Sequence, residues 1–161
     1  MSGERFLILF NSQGSNVVDN SNLNNVVYNV NWGAFLPQKY KKFRCQFVFK
    51  SINYTTSVLT LNGFLSLNMG KVNVFDGNTE TKNIGFVYPV LQNAGGSNSS
   101  FYNSTNNDNN DFYIDYPSNQ QVSLILKQFD NSTALLAGSG AAGTPSKVLH
   151  YVMYLSLEGI E

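Results

Sequence analysis

The strongest constraint on this chain is a two-residue alternation of apolar and polar side chains that returns along its length. In residues 58–69, VLTLNGFLSLNM, it places Leu59, Leu61, Leu65, Leu67 and Met69 on one side of an extended chain and Thr60, Asn62, Ser66 and Asn68 on the other. Successive side chains of a strand point to opposite faces, so a period of two reads as a strand with one apolar face. FRCQFVFKS repeats the pattern with Phe43, Cys45, Phe47 and Phe49, and VLHYVMYLSLEG repeats it with Leu149, Tyr151, Met153, Leu155 and Leu157. A chain patterned this way to its end folds as an all-β sandwich or barrel.

Alternation and turn punctuation predict eight strands, at 5–10, 25–32, 42–52, 58–69, 82–91, 111–116, 120–129 and 147–158. A further short strand, KVNVF, is a candidate within the connection at 70–81. No window of helical length carries apolar residues at i, i+3, i+4 and i+7, so at most one or two helical turns are expected. The 161 residues read as a single domain with two long polar connections, 92–110 and 130–146.

Three segments, FLILF, GFVYPVL and VSLILKQF, are apolar on both sides, which a strand with one wet face does not need. The expectation is that their second face packs on a loop or another chain. The residues that mark such an interface are Leu7 and Leu9 on the first strand, Val87 and Leu91 on the fifth, and Val152 and Tyr154 on the last.

Net charge is zero, from ten basic and ten acidic side chains, so no global field draws the chain to nucleic acid or anionic lipid. No apolar run approaches the roughly 20 residues that span a bilayer. The amino terminus, with five apolar residues before Asn11 and Glu4 beside Arg5, does not read as a signal peptide. The single cysteine, Cys45, permits no internal disulfide and reads as a small core residue.

Catalytic groups are sparse. His150 is the only histidine, and one His with one Cys cannot supply a zinc site. Asp111 and Asp115 share a strand face, but four residues of strand separate them by about 13 Å, wider than the pair a glycosidase needs. The tract NNDNND lacks the turn glycine and distal glutamate of a helix-loop-helix calcium site. Gly138, Gly140 and Gly143 match a dinucleotide fingerprint in letters only, because Pro145 follows where a helix should begin. The chain is therefore expected to be no enzyme and to need no cofactor.

The most concentrated polar signal is basic. Lys39, Lys41, Lys42, Arg44 and Lys50 are half of the basic residues, and alternation puts Lys42, Arg44 and Lys50 on the face opposite Phe43, Phe47 and Phe49. Single-strand-binding sheets expose aromatic and basic groups together, whereas these phenylalanines face inward, so no specific nucleic-acid binding is expected. Trp32 falls on the same face as Val26, Tyr28 and Val30 and reads as a core anchor. The competing reading is a sugar-stacking platform built from Trp32, Tyr102, Tyr113 or Tyr116, as in a lectin-like carbohydrate-binding module.

The segment YNVNWGAFLPQKYKKFRCQFVFKS, with its strand, Trp-Gly corner, Leu36-Pro37 turn and basic-aromatic strand, resembles segments of small capsid proteins of large DNA viruses. The strand count and Asn-rich loops resemble the single jelly-roll proteins that form pentons or minor capsid components there. The resemblance implies an eight-stranded antiparallel jelly-roll sandwich and a structural virion protein assembled inside the host cell. Its implied partners are itself, as a pentamer or trimer, and other capsid proteins. Penton and inter-capsomer minor protein both remain open, since strand residues begin at Arg5 where pentons often carry an arm or extra domain.

Overall fold

The computed structural model describes residues 3–21, 25–55, 63–69, 72, 82–87, 99–103, 111–128 and 147–161. In chain order these contain β1 (Arg5–Asn11), β2 (Val17–Asp19), β3 (Asn25–Asn29), α1 (Trp32–Phe35), β4 (Lys42–Thr55), β5 (Gly63–Asn68), β6 (Lys82–Val87), β7 (Ser99–Asn103), β8 (Phe112–Asp115), β9 (Gln121–Gln128) and β10 (Lys147–Ile160). They form two antiparallel sheets. The first has the order β1-β10-β4-β7, with β8 also on β4, and the second has the order β2-β3-β9-β5-β6. The chain is thus an all-β sandwich.

Each of the eight expected strands has a counterpart, but the count needs correcting, because β2 and β7 are additional among the described residues. β7 lies inside the polar connection expected at 92–110 and pairs Ser99–Asn103 with Thr55–Ser51 of β4. Its two apolar residues, Phe101 and Tyr102, are adjacent and give no alternation to read. The KVNVF candidate is represented only by Val72, which forms an isolated bridge to Ile114. The connection at 130–146 lies outside the described residues.

The sheets meet over a core that draws on both. Phe10, Phe43, Cys45, Phe47, Ile52, Tyr151, Met153, Leu155 and Leu157 come from the first sheet, and Val26, Tyr28, Leu67, Val122, Leu124 and Leu126 from the second. The Tyr28 hydroxyl donates to the Tyr151 hydroxyl at 2.7 Å, a buried polar contact that pins one sheet to the other. Burial pushes both phenols well above their ordinary pKa. Cys45 sits in this core, and burial raises its thiol pKa in the same way.

Trp32 opens α1 rather than closing the strand before it. The helical turn stops at once because Pro37 disfavours the helical conformation at Leu36, which is extended instead. The corner is held from both sides. Trp32 Nε1 donates to the Asn119 carbonyl at 3.0 Å, and the Tyr116 hydroxyl donates to the Leu36 carbonyl at 3.0 Å. Near the same corner the Tyr40 ring lies directly on Gly159, where an added Cβ would stand 2.6 Å from the ring carbons. Only glycine lets the ring and strand approach so closely.

β4 changes face in its middle. Phe47 is opposite Leu155 and Phe49 is opposite Tyr154, so Val48 is an extra residue on β4. Such a bulge moves every later side chain to the other face. Phe43, Cys45 and Phe47 point into the core as the alternation predicts. Beyond Val48 the expectation is overturned: Phe49 is exposed, while Lys50 is buried at 2% exposure. A compensating shift between Val148 and His150 on β10 restores the register at the far end.

Candidate assembly interface

The outer face of the first sheet is read row by row from the pairing of β1, β10 and β4. Arg5 is opposite Glu158, which is opposite Arg44, which is opposite Tyr113 on β8. One step along, Leu7 is opposite Ser156 and Ser156 opposite Gln46. The next row is Leu9, Tyr154 and Phe49. The last is Asn11, Val152 and Ser51. The face is therefore divided, with charged and amide groups in the first rows and apolar groups centred on the row of Leu9, Tyr154 and Phe49, beyond which stand Asn11 and Ser51.

The apolar half stands in solvent. Leu7 is 50% exposed, Leu9 39%, Tyr154 38% and Phe49 38%. Val152 is half-buried beside them. These side chains occupy adjacent rows on three neighbouring strands, so they form one patch rather than scattered apolar residues. Phe49 joins the patch because of the Val48 bulge. Sequence periodicity assigned it to the core, but a signal was present: the apolar positions of β4 are odd through Phe47 and even at Ile52.

The polar half is neutralised internally. Arg44 Nη2 lies 2.6 Å and Nε 2.9 Å from Asp111 Oδ2, and its Nη1 lies 3.7 Å from Glu158 Oε2. Gln46 donates to the other Asp111 oxygen at 3.1 Å. The hydrogen bond to Asp111 raises the Arg44 pKa above its ordinary value. Arg5 Nε donates to Ser156 Oγ at 2.7 Å. Lys39 pairs with Glu4 at 3.0 Å, which raises the lysine pKa. A groove of about 570 Å³ runs past Glu4, Lys39, Tyr40, Arg44, Tyr113 and Glu158.

The basic strand expected from the sequence is thus broken up. Lys39 and Lys41 precede β4, Lys42 and Arg44 lie on its outer face, and Lys50 is on the buried face. The grouping of Lys50 with Lys42 and Arg44 is corrected by the bulge. Of the other interface residues, Leu7, Leu9, Val152 and Tyr154 come together on one face. Val87 ends β6 in the second sheet, its side chain not among those described, and Leu91 lies outside the described residues.

The structure also locates the groups weighed for chemistry and for sugar stacking. Asp111 is engaged by Arg44 and Gln46, and Asp115 is paired in register with Lys42 on β4. His150 is half-buried. Trp32 is buried with its ring nitrogen bonded, so it offers no platform, and Tyr116 is half-buried with its hydroxyl on the corner carbonyls. Tyr113 is exposed, and the side chain of Tyr102 is not described. Among the described residues no helix is long and apolar enough to cross a membrane. No protein-family model matches the chain, and no curated protein matches it.

Proposed function

We propose that this chain is a structural virion protein, a penton or minor capsid component, that assembles inside the host cell with itself and with other capsid proteins. The observation that carries the reading is the aligned row Leu9, Tyr154 and Phe49, exposed on the outer face and flanked by Leu7 and Val152. An apolar row with an internally paired polar strip on one side and Asn11 and Ser51 on the other has the composition of a protein interface. Its charges are matched within the chain, which favours a protein surface over a polyanion as partner.

The fold reading behind this proposal is a jelly roll. Leaving aside the short β2 and the added β7, which shares the β4 edge with β8, the orders β1-β10-β4-β8 and β3-β9-β5-β6 support it, since the chain passes repeatedly between sheets, as two interleaved Greek keys require. The reading assigns the chain no catalysis.

The test is incorporation. Tyr154→Asp and Phe49→Asp each put a charge into the patch without touching the core, so each variant is expected to fold normally and to be excluded from particles. Circular dichroism and particle co-sedimentation measure the two halves of that statement. Entry of both variants into particles at the wild-type level would overturn it.

A second reading, a carbohydrate-binding module, is favoured by one observation: Tyr113 is exposed over a groove lined by Arg44 and Glu158. Glycan binding abolished by Tyr113→Ala, in a protein that never joins a particle, would put this reading first.

A further inference from the structure

β1 is the edge of the first sheet, with β10 on one side and no strand on the other among the described residues. The Gly159 N–H bonds to the Glu4 carbonyl and the Ser12 N–H to the Tyr151 carbonyl, which fixes the even-numbered residues of β1 as those bonded to β10. Antiparallel ladders alternate, so the backbone N–H and C=O groups of Arg5, Leu7 and Leu9 point away from β10 at the sheet edge. No other described residue bonds to them.

Edge strands that must stay single are blunted by lysine, proline, bulges or shortness. RFLILFN has none of these. It is seven residues long, contains no lysine or proline, and runs against β10 without a register shift.

We propose that the partner of this edge is β1 of a second copy, paired antiparallel about a two-fold axis at Ile8. This register sets Leu7 against Leu9, Phe6 against Phe10, Ile8 against Ile8 and Arg5 against Asn11, so each apolar residue meets another apolar residue. Leu7 and Leu9 of each copy exchange backbone hydrogen bonds with Leu9 and Leu7 of the other. Arg5 is the only charged residue of β1, and the axis holds its two copies about 20 Å apart. That exceeds the Debye length at physiological salt, so charge does not oppose the pairing. The outer apolar rows also join: Phe49, Tyr154 and Leu9 of one copy continue into Leu7 of the next. Self-complementarity of this kind is what a two-fold contact requires.

The pairing adds a two-fold contact between copies, separate from the pentamer or trimer that the resemblance implies, and rests on the assembly reading only for its place in a particle. Proline supplies a discriminating test, because it removes one N–H whose direction is known. At position 7 that N–H points outward, so Leu7→Pro is expected to keep the fold and lose the dimer. At position 8 it points to β10, so Ile8→Pro is expected to lose the fold. Leu7→Lys, which leaves the backbone intact, is expected to shift the protein to monomer as well.

Ile8→Cys places a thiol at the axis, in a non-hydrogen-bonded pair where side chains are closest, and is expected to give a covalent dimer on mild oxidation. The buried native Cys45 stays unreacted and serves as the internal control. Analytical ultracentrifugation reads the mass. A wild-type protein that sediments as a single chain at high concentration overturns the proposal. So does a dimer that survives in both Leu7→Pro and Leu7→Lys, or a cross-link at Leu7→Cys and not at Ile8→Cys. Those results leave the Tyr154 and Phe49 face untouched, whereas entry of Tyr154→Asp and Phe49→Asp into particles overturns the face reading and leaves the edge pairing standing.

Discussion

Phe47 and Phe49 are the same residue type, two positions apart on one strand, yet Phe47 is 5% exposed and Phe49 is 38% exposed. Simple alternation would give them one environment. The single extra residue between them separates two regimes of the first sheet, an inner face that holds the sandwich together and an outer face that is available to a neighbour. The same shift carries Lys50 inward, so the bulge exchanges a buried aromatic for a buried lysine. The bulge also brings Ile52 into the core, so it serves the inner face while it leaves Phe49 on the outer one.

The harshest way to break the comparison is to delete Val48. Phe49 would turn inward, Lys50 outward, and Ile52 out of the core, while β10 keeps its own register. The expected outcome is loss of the cooperative fold, read as loss of a thermal unfolding transition. Substitution separates the faces more gently. Phe47→Ala removes a buried ring and is expected to cost about 3–5 kcal/mol, whereas Phe49→Ala is expected to stay within about 1 kcal/mol of wild type. Urea titrations of the pair measure both. Equal losses would mean that the bulge does not divide the strand as described.

The inner face is also expected to respond to alkali. The folded-state pKa values of Tyr28, Tyr151 and Cys45 are raised by burial, so the folded chain keeps protons that the unfolded chain releases. Stability from these groups is fully present below their unfolded values, about 9 for the thiol and 10 for the phenols, and falls as pH rises beyond them. Each group contributes a slope of up to about 1.4 kcal/mol per pH unit. Denaturant midpoints between pH 8 and 11 are expected to hold steady and then drop. In Tyr28→Phe the drop is expected to be shallower, although that variant starts lower because Tyr151 loses its hydrogen-bond partner.

The sheets were legible in the sequence to the extent that strands alternate cleanly. β9 and β10 read correctly because Val122, Leu124 and Leu126, and Tyr151, Met153, Leu155 and Leu157, keep one parity throughout. β7 was invisible because its pairing comes from backbone hydrogen bonds to β4 and not from a pattern of its own. The candidate face was legible in part. Leu7 and Leu9 stood out because a five-residue apolar run cannot enter one core. Phe49 did not, since local alternation carries no record of a register shift decided by the partner strand. The pairing of Arg44 with Asp111, 67 residues away, could be seen only once β8 was placed beside β4.

The smallest effect is expected where the outer face is most charged. Asp111 accepts from Arg44 and Gln46, and its removal would look damaging if hydrogen bonds alone were counted. The Arg44 side chain is 47% exposed, however, so water screens the pair and replaces what is lost. Glu158 also remains at 3.7 Å to hold the guanidinium. Asp111→Asn keeps the shape and removes the charge, and its unfolding free energy is expected to fall by no more than about 1 kcal/mol. Raising the salt concentration should shrink that difference further. If instead the variant lost several times this amount, the polar rows would belong with the inner face as a structural element. A small loss of stability accompanied by failure to enter particles would sharpen the division, because the charge would then matter to the neighbour and not to the fold.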